Sequence, residues 1–141
     1  KLRLLIAGDG QQMEALQKLA LALGVENEVH FLGWLHNTED FYRALDINTL
    51  SSRSETFPYA LTEGTKFFLP TVSSRVGGVP QLIDHGVNGL LFEPGDRETL
   101  AEHLVSLALD ADKRRTMGLR LGEKARREFS LEASCRRQLV I

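Results

Sequence analysis

Short apolar runs alternate along the chain with longer stretches in which apolar residues recur at helical spacing. Residues 2–7 form an apolar run interrupted only by Arg3, the pattern of a strand covered on both faces. After the Gly8-Asp9-Gly10 turn, Met13, Leu16, Leu19, Ala20 and Leu23 predict a helix over 12–23, with Gly24 as its stop. A second strand is expected over 29–32, ending at Gly33. A short helix capped by Asn37 or Thr38 runs to Ala44, and a third strand occupies 47–50. Pro58, at the tolerated first turn, opens a helix reaching about Phe67. A fourth strand at 71–73, the Gly77-Gly78 turn and a helical turn at 80–83 follow. A strand at 90–92 comes next, then a helix at 98–109 entered through Pro94-Gly95-Asp96. Two or three further helical segments are expected between 112 and 140.

Strands alternating with helices indicate an α/β fold with a parallel sheet flanked by helices, and such sheets bind ligands beyond the carboxyl ends of their strands. The Gly8 turn, the Gly33 turn, the loop 51–55 and the loop 74–78 all follow strands, so the pattern predicts that they converge on one edge. No internal repeat is present.

The length of 141 residues suits one domain and is too short for two ordinary ones. A net charge of -2 argues against general nucleic-acid binding. The single cysteine, Cys135, has no internal disulfide partner, which fits a reducing compartment and a cytoplasmic location. No apolar run is long enough to cross a bilayer. Because the chain opens directly on a core-like strand with no leader, it reads as an excised fragment. Residues 113–137 hold nine basic and three acidic side chains, a local balance of +6. A solvated helix surface is the ordinary explanation, and peripheral contact with anionic lipid on the cytoplasmic face the sharper one.

Candidate chemistry concentrates between Ser54 and Pro80. Glu55 and Glu63 stand eight positions apart around the expected helix start. The first turn of a helix presents unpaired N–H groups and partial positive charge to a phosphate, and Tyr59 and Ala60 can offer such amides where Pro58 cannot. Carboxylates accept hydrogen bonds from sugar hydroxyls, and Glu63, inside the helix, could take both hydroxyls of a ribose. Glu55, ahead of the helix, could bind a hexose or could simply favour the helix dipole. Taken singly, Glu63 could equally be a surface glutamate. Gly8, Gly10, Gly77 and Gly78 allow close backbone approach to a ligand, or plain turns. Trp34 lies where a nucleobase could rest, or packs at the domain edge. No GxGxxG, GxxxxGK[ST] or GxSxG motif occurs, and His30, His36, His85 and His103 lack metal-ligand spacing.

Most of the chain resembles the nucleotide-binding C-terminal domain of family-4 retaining glycosyltransferases of the GT-B fold. The likeness is carried by LRLLIAGDG, VHFLGW, FYRALDI, SSRSETFPYALTEG with its glutamate–seven residues–glutamate motif, and LPTVSSRVGGVPQLIDHGVNGLLFEPGD. The resemblance implies a Rossmann-like half of a GT-B architecture, lacking its first strand and helix, with 1–141 as a partial donor-binding domain. It implies transfer of a hexose from a nucleotide diphosphate sugar, with retained anomeric configuration and no metal or other cofactor. Glu63 would hold the ribose, and Glu55 would be the catalytic-site acid at the sugar–diphosphate region. Amides at Phe57, Tyr59 and Ala60 would face the diphosphate, Gly33, Trp34 and Leu35 would flank the base, and Gly8, Gly77 and Gly78 would line the donor. Gln81 stands where the family often has glutamate, Gly64 where alanine is usual, and Phe67-Phe68 where the helix ends in a small residue and glycine. An acceptor-binding N-terminal domain and the cations that clamp the diphosphate are expected outside the chain, so the chain alone is expected to be inactive. A nucleotide-sugar epimerase or phosphorylase of the same fold, or a non-catalytic sugar-nucleotide module, is the alternative.

Overall fold

The computed structural model describes residues 2–130. The chain divides into two compact units, Lys1–Phe41 and Tyr42–Ile141. In the first, β1 (Leu4–Ala7) and β2 (Val29–Gly33) pair in parallel, with Leu4 opposite Val29 and a register shift after Ile6. The helix α1 (Met13–Ala22) connects them, and Gly24, at φ +67°, ends it as expected. The Gly8 N–H donates to the Gly33 carbonyl at 2.7 Å, and both glycines take positive φ, so the two turns meet beyond the strand ends. The strand β1 is not covered on both faces as its composition suggested. Among the described residues it pairs with β2 alone, and Leu2 and Leu4 are exposed.

The boundary between the units falls within the short helix α2 (Glu39–Arg43), whose Glu39 N–H is capped by the Asn37 side chain. The second unit continues through β3 (Asn48–Leu50), α3 (Tyr59–Thr65), β4 (Thr71–Ser74), α4 (Val79–Leu82) and β5 (Leu90–Phe92) to α5 (Arg97–Leu109) and α6 (Ala111–Glu128). Its strands are parallel in the order β3-β4-β5, with every residue of the central β4 buried. The expected α/β class is therefore observed, with parallel pairing in two ladders, one per unit.

Leu61, Val79, Leu82, Leu91 and Leu121 form one core cluster, and Val72, Leu90, Phe92, Leu107 and Met117 another. Burying each such side chain stabilises the fold by about 1.5–3 kcal/mol. The helix α5 begins one residue before its expected start because Asp96 caps it, accepting from the Thr99 N–H at 3.0 Å.

Of the two or three segments expected between 112 and 140, the described residues contain one, α6, which runs to Glu128, and the rest of that stretch lies outside those described. Its glycines do not break it because they serve close packing. A Cβ on Gly118 would lie 1.9 Å from the Phe68 carbonyl oxygen, and one on Gly122 would lie 2.5 Å from the Phe68 ring. The helix α3 stops at Thr65, short of Phe67, because the chain turns sharply at Phe68, the one non-glycine residue at positive φ (55°) among those described. Among the described residues no helix is long and apolar enough to cross a membrane.

Candidate functional site

Beyond the carboxyl ends of β3 and β4, the loop 51–57 is fastened to the turn 75–78. Ser74, fully buried at the end of β4, donates its hydroxyl to the Ser52 carbonyl at 2.6 Å. The Gly78 N–H donates to the Thr56 carbonyl at 2.9 Å. A Cβ on Gly77 would lie 1.7 Å from the Glu55 carbonyl oxygen, and one on Gly78 would lie 2.8 Å from both Thr56 and the Phe57 ring. The Gly-Gly pair thus lets two loops touch, and Gly77 also takes φ +48°, which suits glycine. Phe57 stacks on Phe129 at the end of α6, with centroids 5.3 Å apart.

Within this loop the Glu55 carboxylate is half-buried and accepts a 2.6 Å hydrogen bond from the Ser52 hydroxyl through one oxygen. Its second oxygen has no partner among the described residues. Three residues on, α3 begins with Pro58 in extended conformation at its N-cap. The N–H groups of Phe57, Tyr59 and Ala60 donate to no protein group among the described residues, as expected ahead of and within a first helical turn.

Glu63 lies on α3, half-buried, against Tyr42. Burial, the Glu63 charge and a hydrogen bond to the Glu63 side chain push the Tyr42 phenol up to about 12. The same phenol lies 3.1 Å from the Ala60 carbonyl, which Asn48 also approaches. A Cβ on Gly64 would lie 2.5 Å from the Asn48 amide, so glycine at this position accommodates Asn48. Thr62 and Thr65, on another face of α3, border a groove of about 380 Å³ whose far wall includes Gly122, Ala125 and Arg126 of α6. Neither Glu55 nor Glu63 lines it.

In the first unit, Gly8 and Gly33 are held together as described, Trp34 is 72% exposed, and Leu35 is half-buried. Trp34 therefore does not pack at an edge. The basic side chains of α6 are largely engaged within the protein. Arg114 donates to the last carbonyls of α5, at Leu107 and Ala108, Lys124 to Asp84, and Arg120 to the Val87 carbonyl. Lys113 donates to Ser106, Arg115 and Arg127 pair with Asp112 and Glu128, and Arg126 lies over the Phe68 ring. Much of the +6 balance on this segment thus serves to attach α6, while Arg136 and Arg137 lie outside the described residues. Among the described residues no group of three His, Cys, Asp or Glu side chains is placed to hold a metal.

Ser52, Ser74 and Tyr42 are the site residues that pattern and spacing do not reveal. For the two serines the one sequence signal is the polar composition of the strand ends, where Ser51, Ser52, Ser73 and Ser74 cluster, and Tyr42 carries none.

Comparison with known proteins agrees with this architecture. Residues 1–127 match the family described as glycosyl transferases group 1. The chain is 34% identical over 130 residues to N-acetyl-alpha-D-glucosaminyl L-malate synthase of Bacillus anthracis, covering 92% of this chain and 34% of that protein. It is 38% identical over 111 residues to D-inositol 3-phosphate glycosyltransferase of Corynebacterium jeikeium, covering 77% and 26%. Among solved structures, Anabaena HepE in complex with UDP-glucose is similar, with a TM-score of 0.88 and 28% identity over 96% of this chain and 39% of that one. The chain spans about a third of the length of these relatives. With nine-tenths of its length matched by the family model, the chain belongs to the group 1 glycosyltransferases.

Proposed function

We propose that the protein is the donor-binding part of a retaining glycosyltransferase that moves a hexose from a nucleotide diphosphate sugar to a glycan, lipid or small-molecule acceptor. The observation that carries this reading is the placement of Glu55 and Glu63. One acid is held at the lip of the strand ends with an oxygen to spare, and the other sits on the helix that follows. In this reading Glu63 accepts from the ribose hydroxyls, with Tyr42 orienting it. The amides of Phe57, Tyr59 and Ala60 face the diphosphate, and Glu55 receives hydroxyls of the sugar. Gly77 and Gly78 support the Glu55 loop. The reading requires no metal. Binding of UDP and UDP-glucose by the similar HepE supports a nucleotide-sugar donor.

Residues 1–141 are proposed as a partial C-terminal domain, completed in the longer protein by an acceptor-binding domain and by cations that neutralise the leaving diphosphate. By itself the chain is proposed to be inactive, because transition-state charge on the diphosphate is left without those cations. The test is product analysis. The longer protein, given a nucleotide sugar and an acceptor, should release the nucleoside diphosphate and form a glycoside with the donor's anomeric configuration. The 141-residue chain should form none. An inverted product, or an epimerised nucleotide sugar, would contradict the reading.

A further inference from the structure

We infer that Ser52 is a positioning residue: its hydroxyl fixes the rotamer of Glu55, so that the free carboxylate oxygen is aimed at the donor sugar. This deepens the proposed function and rests on its placement of Glu55 at the sugar.

The geometry forms a relay from the rigid sheet to the acid. Ser74 is fully buried on the central strand, its hydroxyl holds the Ser52 carbonyl at 2.6 Å, and the Ser52 hydroxyl holds Glu55 at 2.6 Å. A bond this short to a carboxylate is charge-assisted and stronger than one between neutral groups. Because it takes only one of the two carboxylate oxygens, the acid keeps full acceptor capacity on the other. The Glu55 backbone is immobilised separately, by its contact with Gly77 and by the Gly78 to Thr56 hydrogen bond. Main chain and side chain are therefore fixed by different partners. Removing the Ser52 hydroxyl frees the side chain while leaving the loop in place. The freed glutamate then loses rotamer entropy when it engages a sugar, a cost the wild-type protein has already met in folding.

The role makes a prediction that a purely structural serine would not. Affinities for UDP, GDP and ADP, and for their glucose conjugates, are measured by calorimetry on the wild-type chain and on Ser52→Ala, Ser52→Thr, Ser52→Cys and Glu55→Ala. The pair whose diphosphate binds best is then followed. Ser52→Ala should weaken the glucose conjugate roughly tenfold, as expected for a lost hydrogen bond to a charged group, and leave the bare diphosphate within about twofold. Ser52→Thr, which keeps the hydroxyl, should restore the conjugate. Ser52→Cys, close in size but a weaker donor, should give a smaller loss of the same kind and serves if the alanine variant does not fold. Equal weakening of conjugate and diphosphate, or no change in either, overturns the inference. If Glu55→Ala itself leaves the conjugate unaffected, or the wild type binds none of the six, the placement of Glu55 at the sugar fails and the inference with it. Loss in Glu55→Ala without loss in the Ser52 variants overturns the Ser52 role alone.

Discussion

The carbonyl oxygen of Glu55 occupies the space in which a side chain on Gly77 would have to sit, 1.7 Å from an ideal Cβ. The clash is with main chain, so no rotamer change relieves it, and φ +48° adds backbone strain. Gly77→Ala should therefore destabilise the fold by about 2–4 kcal/mol or displace the Glu55 loop. Gly10→Ala is the control, with nothing within 4 Å of its Cβ and an ordinary φ, and should change stability little. Denaturant melts of the two variants check this. Equal midpoints would mean that the two loops are not in contact in solution.

Gly118 and Gly122 make separable demands on Phe68. The first faces the Phe68 backbone oxygen and the second its ring. Alanine in a helix interior is intrinsically favoured over glycine by about 1 kcal/mol, so any loss must come from these contacts. Both Gly118→Ala and Gly122→Ala should lower stability, by about 1–3 kcal/mol. Adding Phe68→Gly should partly rescue Gly122→Ala, by removing the ring and leaving only the Thr65 carbonyl oxygen at 3.0 Å, and should not rescue Gly118→Ala, whose obstacle is main chain. Rescue of both, or of neither, in double-mutant cycles would refute this packing.

The imidazole of His85 gives the second unit a titratable contact. Its Nδ1 accepts from the Leu91 N–H at 2.9 Å, and the His103 ring lies 5.6 Å away and contacts the Leu91 carbonyl through Nε2. Burial first, then His103 and then Arg75, hold the His85 pKa below its ordinary value. The folded state thus favours the neutral ring. The contribution is present above the unfolded pKa, about 6.5, and is lost as pH falls from there through the folded value. Thermal midpoints should drop between neutral and mildly acidic pH, and by less in His85→Asn, where an amide oxygen can accept without titrating. An identical pH profile for wild type and variant would remove His85 as the source.

How much of this was legible in the chain depends on the range of the interactions involved. The strand β5 is readable to the residue because Gly89 and Pro94 bracket a short apolar run, and α5 to within one residue at its start because Asp96 is a local cap. The Glu55–Glu63 spacing is likewise local. The Ser52 to Glu55 bond spans only three positions, but the bond that anchors Ser52 itself comes from Ser74, 22 positions later, and no periodicity records that contact. The pairing of Tyr42 with Glu63 depends in the same way on how α2 meets α3. Nor does spacing explain two glycines inside α6, because Gly118 and Gly122 answer to the Phe68 turn, some fifty positions earlier. Phe68 and these two glycines pack together, a relationship visible only in the folded chain.

The proposed grip of Glu63 on a ribose is tested most directly by calorimetric titration with UDP, GDP and ADP before and after Glu63→Ala. At least one nucleotide should bind the wild-type protein and lose roughly tenfold or more in affinity on substitution, the scale of losing hydrogen bonds to a charged acceptor. Unchanged affinity for the nucleotide that binds would contradict the assignment.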